Sequence, residues 1–277
     1  MSHEAQITRT NPTAFLFVVD QSGSMSDRMS IGKSKAEFVS DALNRTLMNL
    51  IGRCTRSEGV RDYFEVGVIG YGGNGVDNGF SGALSSRVLN PVSAIEQNPT
   101  RVEDRTKKMD DGAGGIVETS VKFPIWSEPR ADGGTPMRAA LTRAAEELVA
   151  WCDAHPESYP PTVLHVTDGE SGDGDPEEIA SSLAQLCTND GSVVVMNIHV
   201  STLGSDTIKF PSFESGLPDS YAKLLFRMSS PLPLHLVGFA KDKGYHVSPQ
   251  SRGYMFNAEA GEIVDFFDIG TRASQLR

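Results

Sequence analysis

Two short apolar runs, each closed by an aspartate, constrain this chain more than any other feature. Phe15-Leu16-Phe17-Val18-Val19 leads into Asp20, and Val163-Leu164-His165-Val166-Thr167 leads into Asp168. A half-exposed strand alternates apolar with polar side chains. An unbroken β-branched and aromatic run therefore reads as a strand buried on both faces, as in a parallel sheet covered by helices. In open α/β sheets the carboxyl ends of neighbouring strands form the ligand crevice, so two aspartates at two strand ends can converge there.

The remaining elements follow from periodicity. Val39, Leu43, Leu47 and Leu50 give residues 31–51 helical spacing, and Met137, Leu141, Ala144, Leu148 and Trp151 do the same for 136–151. Asp175-Pro176-Glu177-Glu178 opens a further helix through Ile179, Leu183 and Leu186, with acids at the positive end of its dipole. Residues 64–69, 193–200 and 253–257 read as strands, and 218–228 and 262–269 as helices. The expected fold is α/β and doubly wound, with a mostly parallel sheet, one antiparallel edge strand and helices on both faces. Residues 84–89 are the candidate edge strand, and 116–126 a second extended segment.

Asp20-Gln21-Ser22-Gly23-Ser24, Gly133-Gly134-Thr135-Pro136 and Thr167-Asp168-Gly169 together carry oxygen donors suited to one hard divalent cation. Mg²⁺ asks for near-octahedral oxygen at about 2.0–2.1 Å and keeps several waters when the protein offers few ligands. Hydroxyls of Ser22, Ser24 and Thr135 would bind without adding charge, while Asp20 and Asp168 supply charge directly or through water. Such a cation stays under-neutralised and seeks an acidic oxygen from elsewhere. Thr135 has an ordinary role available too, capping the helix that begins at Pro136.

These segments, in this order and strand context, resemble the metal-ion-dependent adhesion site of von Willebrand factor A (VWA) domains, and the likeness spans roughly residues 14–270. The resemblance implies a single domain over 1–277, a Rossmann-like architecture, and insertions at about 72–133 and 231–252. It implies a metal site of Asp20, Ser22, Ser24, Thr135 and Asp168 holding Mg²⁺, or Mn²⁺ or Ca²⁺, with an acidic residue of a partner protein completing the coordination. It also implies a non-catalytic, metal-dependent protein-binding module. Bacterial proteins of this look, including VWA proteins associated with tellurite resistance, suggest an adaptor in a signalling or stress-response complex, beside a Ser/Thr kinase or PP2C-type phosphatase. The alternatives are a Mg²⁺-dependent phosphohydrolase and a regulatory subunit of an ATPase machine.

Other chemistries fit less well. A dehalogenase-type phosphotransferase needs a carboxylate two residues after Asp20, where Ser22 stands. A Walker A loop ending at Gly32-Lys33-Ser34 needs glycine where Asp27 stands, and a hydrolase elbow at Gly169-Glu170-Ser171-Gly172 meets Asp173. Asp168, Glu170, Asp173 and Asp175 lack EF-hand spacing, so Asp173 and Asp175 read as loop and capping residues. Gly70-Tyr71-Gly72-Gly73-Asn74-Gly75 satisfies G-x-G-x-x-G, but no helix follows to receive a pyrophosphate, and a flexible loop is the expectation. The charged run at 100–111 reads as a solvated loop or short exposed helix. Leu232, Leu234, Leu236, Val237 and Phe239 read as packed against the fold.

Net charge of −11 argues against nucleic acid or an anionic membrane as partner. Cys54, Cys152 and Cys187 are odd in number and far apart, which predicts buried free thiols in a reducing compartment. The first residues lack signal-peptide character and no window offers the ~20 apolar residues of a membrane helix, so a cytoplasmic location is expected. Six dispersed histidines lack metal-ligand spacing, and His165 and His199 read as satisfied core residues.

Overall fold

The computed structural model describes residues 3–29, 32–73, 75–110, 116–200 and 206–272. Strand β1 (Thr13–Gln21) is followed by helix α1 (Lys35–Cys54), the small hairpin β2 (Thr55–Arg56) and β3 (Gly59–Val60), then β4 (Phe64–Gly72) and β5 (Gly75–Asn78). Next come β6 (Leu89–Pro91), α2 (Val92–Gln97) and a ribbon of β7 (Arg101–Asp110) and β8 (Ile116–Ile125). Helix α3 (Met137–Ala154), β9 (Thr162–Thr167), α4 (Glu177–Gln185) and β10 (Val194–Val200) follow. The chain ends with β11 (Ile208–Lys209), α5 (Ser220–Arg227), α6 (Leu234–Asp242), β12 (Tyr254–Ala258) and α7 (Ala260–Gly270).

The main sheet runs β11-β12-β10-β9-β1-β4-β5, with β6 also on β4. Five central strands are parallel, and antiparallel pairing is confined to the rims, β5 and β6 on β4 and β11 on β12. This is the expected doubly wound sheet. Because β1 alternates, Phe15, Phe17 and Val19 enter one core with Val39, Leu43 and Leu47 of α1 and Phe266 and Phe267 of α7. Ala14, Leu16 and Val18 enter the other with Met137, Leu141 and Leu148 of α3. The chain leaves β1 through α1 on one face and reaches β9 through α3 on the other. That change of face opens a crevice at the carboxyl ends of β1 and β9.

A buried polar chain crosses the sheet below this crevice. The Tyr71 hydroxyl lies 2.7 Å from His165 Nε2, and His165 Nδ1 lies 2.7 Å from Asn197 Oδ1. Asn197 Nδ2 donates to Ser229 Oγ, which donates to the Leu225 carbonyl. Since Asn197 offers its oxygen to the ring, Nδ1 carries the proton and Nε2 accepts from Tyr71. His165 is thus the satisfied core histidine expected, and burial pushes its pKa down to about 4. His199 is only half-buried, stacked on Phe256 with ring centroids 4.6 Å apart.

Several local expectations are corrected. Of the glycine-rich stretch, residues 70–72 close β4 and Gly75 opens β5, a hairpin rather than a flexible loop, and at Gly72 the lack of a β-carbon admits the Gln21 backbone. Residues 82–86 form a 3₁₀ turn and the β6 edge strand begins only at Leu89. The charged run is strand β7: Asp104 sits opposite Lys122 in register and pairs with it at 2.8 Å, so its charges are matched across the ladder. Arg105 lies 3.7 Å from the centroid of Phe123 and reaches Asp41 of α1 at 2.8 Å, which fastens the ribbon to the body. Asp111 lies outside the described residues, as does Ile31. The helix expected from 31 starts at Lys35, where Ser34 and Glu37 form a reciprocal capping box. In the 231–252 segment α6 buries Leu236 and Val237 as expected, whereas Leu234 is exposed. Cys54 and Cys152 are buried, but Cys187 is exposed.

Candidate metal centre

Register sets the first part of the centre. Val19 of β1 pairs with Val166 of β9, so Asp20 and Thr167 come level at the sheet edge. Thr167 Oγ1 donates to Asp20 Oδ2 at 2.9 Å, and the backbone amide of Ser22 donates to Oδ1 at 2.9 Å. Ser24 Oγ stands 3.1 Å from Ser22 Oγ and donates to Asp168 Oδ1 at 2.7 Å. Asp20, Ser22, Ser24 and Asp168 therefore form one hydrogen-bonded cluster. Burial pushes the Asp20 carboxyl above the usual range, and neighbouring Asp168 adds to this against the hydrogen bonds from Ser22 and Thr167.

Thr135 arrives on a loop fixed by backbone bonds. Gly23 N donates to the Gly133 carbonyl at 2.9 Å, and Gly172 N to the Thr135 carbonyl at 2.8 Å. The loops carrying Ser22 and Ser24, Thr135, and Asp168 are thus tied directly to one another. Behind them, Asp132 bonds the Gln21 carbonyl through its amide and Gly73 N through its carbonyl. Among the described residues the Thr135 hydroxyl makes no hydrogen bond, so it does not cap α3. That role falls to Asp173, whose carboxylate accepts the amides of Arg138 at 2.9 Å and Ala139 at 2.8 Å. Against its partial burial, these amides hold Asp173 below the usual carboxylate range. Asp175 accepts the amide of Glu177 at the start of α4.

Lys35, Thr167 and Tyr221 belong to the centre but were not anticipated. The Lys35 ammonium donates to Asp168 Oδ2 at 2.8 Å and to Asp27 Oδ2 at 3.2 Å. Its side chain is 6% exposed and that of Asp168 0%. The Tyr221 hydroxyl stands 3.3 Å from Thr167 Oγ1. One signal for Lys35 was present in the sequence: a lysine in the first turn of a helix opposes the macrodipole and needs a local carboxylate. Thr167 carried none beyond its place beside Asp168.

The donor set fits a hard divalent cation. Adjacent octahedral oxygens at Mg²⁺ distances are about 2.9 Å apart, close to the 3.1 Å between the Ser22 and Ser24 hydroxyls. Among the described residues no group of three or more His, Cys, Asp and Glu side chains is arranged to hold a metal, so the donors here are hydroxyls beside only two carboxylates.

No protein-family profile matches the chain, and no curated protein does. Among solved structures, the pilus adhesin SpaC from Lactobacillus rhamnosus GG matches 95% of this chain at 14% identity and a TM-score of 0.51, and this chain spans 30% of the length of SpaC. The vWF domain of the type V pili tip protein Mfa5 from Porphyromonas gingivalis matches at 12% identity and a TM-score of 0.40, with 94% of this chain and 93% of that one covered. Manganese-loaded Plasmodium vivax TRAP protein matches at 16% identity and a TM-score of 0.33, over 68% and 57%. The likeness is one of fold alone, and SpaC is the match that carries it.

Proposed function

We propose that this chain is a metal-dependent protein-binding module without catalytic activity, its centre formed by Asp20, Ser22, Ser24, Thr135 and Asp168. The observation that carries this reading is the hydrogen bonding of the two aspartates. All four of their carboxylate oxygens already accept a bond from within the protein, from Ser22, Thr167, Ser24 and Lys35. Each oxygen keeps a second lone pair for a cation, so both carboxylates are held in place beside the neutral hydroxyls that would share the binding. Bound there, Mg²⁺ or Mn²⁺ would offer a coordination position to an acidic side chain of a partner protein.

Selectivity has to come from the surrounding surface, because any carboxylate can make one coordination bond. Residues 26–29, the 72–133 insertion with its β7–β8 ribbon, and residues 170–175 are the segments proposed to frame the contact. Among the described residues no helix is long and apolar enough to cross a membrane. The setting suggested by the sequence resemblance is a cytosolic bacterial signalling or stress-response complex with a Ser/Thr kinase or PP2C-type phosphatase.

Calorimetric titration of Mg²⁺ and Mn²⁺ into the wild type and Asp20→Ala tests the centre, and capture from the native cell with and without chelator tests the partner. Saturable binding lost in Asp20→Ala supports the reading. Equal binding by both proteins, or chelator-independent capture, counts against it. Magnesium-dependent phosphatase turnover abolished by Asp20→Asn would favour the enzyme instead.

A further inference from the structure

The least expected member of the centre is Lys35. It is the first residue of α1, where unpaired amides and the helix dipole disfavour a cation. Its side chain is nearly excluded from water, a costly place for an ammonium that is not ion-paired. Both penalties are met by Asp168, whose fully buried carboxylate lies 2.8 Å away. The second partner, Asp27 at 3.2 Å, is 58% exposed and screened by solvent. A neutral, unbranched side chain would fill the same space without either penalty. What the ammonium adds is charge.

We propose that Lys35 sets the charge of this centre: by neutralising Asp168 it leaves Asp20 as the one of the centre's two carboxylates that has no cationic partner among the described residues, so that a divalent cation is held loosely and keeps a surplus positive charge for an outside carboxylate. This rests on the metal-binding reading above and assigns one residue the balance between metal affinity and partner affinity. The ammonium repels a cation held beside Asp168 and attracts an incoming carboxylate. Its effect on the two affinities is therefore opposite in sign, which a purely structural role would not produce. If Lys35 served only to latch α1 to the end of β9, its removal would loosen the loops and weaken both.

The experiment compares wild type with Lys35→Met, Lys35→Gln and Lys35→Arg. Free Mn²⁺ is followed by electron paramagnetic resonance, and acetate is then titrated into the loaded proteins by water-proton relaxation. The neutral variants should bind Mn²⁺ about tenfold tighter or more, and acetate correspondingly more weakly, because a full charge has been removed from a poorly solvated site. Lys35→Arg should stay within roughly threefold of wild type in both. Neutral variants that fold normally by circular dichroism yet bind Mn²⁺ no more tightly than wild type would overturn the proposal. Should Lys35→Met unfold, Lys35→Gln carries the same comparison. A wild type that bound no Mn²⁺ would overturn the metal reading itself, a result distinct from binding that is indifferent to Lys35.

Discussion

Gly133 packs backbone to backbone against Gly73, so that a β-carbon on Gly133 would overlap the Gly73 α-carbon. Gly133 also has φ of +67°. Only glycine meets both demands, and the contact holds the Thr135 loop against the β4–β5 hairpin. Gly133→Ala should therefore cost about 1–3 kcal/mol of stability and weaken Mn²⁺ binding. Gly134→Ala is the control, since a β-carbon there meets nothing within 4 Å. Urea unfolding and Mn²⁺ titration of the two variants check this, and equal behaviour would show that the Gly73 contact does not position the loop.

That contact explains how much of the fold was legible. Phe15–Val19 and 163–167 announced central strands because burial on both faces leaves an unbroken apolar run, and Asp20 and Asp168 followed as their ends. The glycines at 70, 72 and 73 looked like a loop because their purpose is long-range. A β-carbon at Gly72 would lie 2.6 Å from the Gln21 carbonyl oxygen, and neither partner is near in sequence. Strand β7 was hidden for a related reason: Asp104 and Lys122 are neighbours only once the ribbon has formed. Lys35 and Thr167 likewise acquire their roles from β1 and β9 lying side by side.

Asn44 is a buried polar residue on the apolar face of α1, where helical periodicity alone would place a hydrophobe. Its Oδ1 accepts the amides of Trp126 at 2.8 Å and Ser127 at 3.1 Å, and its Nδ2 donates to the Ser127 carbonyl at 2.9 Å. It thereby replaces a strand partner for the chain leaving β8. Asn44→Leu would strand the two buried amides, while the Ser127 carbonyl keeps the Ser40 hydroxyl at 2.6 Å, and should destabilise the fold by about 2–4 kcal/mol. Denaturant midpoints measure this; a loss below about 0.5 kcal/mol would mean that water takes over those bonds.

Asp20 is held above the ordinary carboxylate range by burial, with Asp168 adding to the effect. A raised folded-state pKa contributes stability below the unfolded value and loses it as pH rises through the folded one, so at neutral pH the metal-free protein carries a penalty. Asp20→Asn should therefore melt higher than wild type in chelator, its Oδ1 accepting the Ser22 amide and its Nδ2 donating to Thr167 Oγ1, whose own proton goes to the Gly169 carbonyl. The same variant should lose the rise in Tm that Mg²⁺ gives the wild type. Thermal melts with EDTA and with Mg²⁺ decide it, and an undiminished Mg²⁺ shift in Asp20→Asn would remove Asp20 from the centre.

His165 gives the opposite slope. Its pKa of about 4 in the fold lies below the ordinary value near 6.5 because burial disfavours the imidazolium. Stability is then complete above about pH 6.5 and falls as pH drops towards 4, by on the order of 3 kcal/mol across that window. Guanidinium unfolding at pH 7.5, 6 and 4.5 should show the decline. His165→Gln should be less stable at pH 7.5 but flatter below it, and an unchanged slope would assign the pH dependence to another group.

The β7–β8 ribbon supplies the last prediction. It forms its own two-stranded sheet, and an isolated pair of strands is marginal in water unless something anchors it. The anchors lie near its base: Arg105 on Phe123 and Asp41, buried Ile125, and Trp126 donating its indole N–H to the Ile95 carbonyl. Arg105 and Val121 are paired in register, so an Asn-Gly turn can join them directly and remove residues 106–120. The shortened protein should melt within a few degrees of wild type and bind Mn²⁺ equally well, because neither the sheet nor the centre rests on the outer ribbon. Binding to a captured partner should weaken. Unchanged partner affinity would exclude the outer ribbon from the contact surface, and a large fall in Tm would show that it supports the body of the fold.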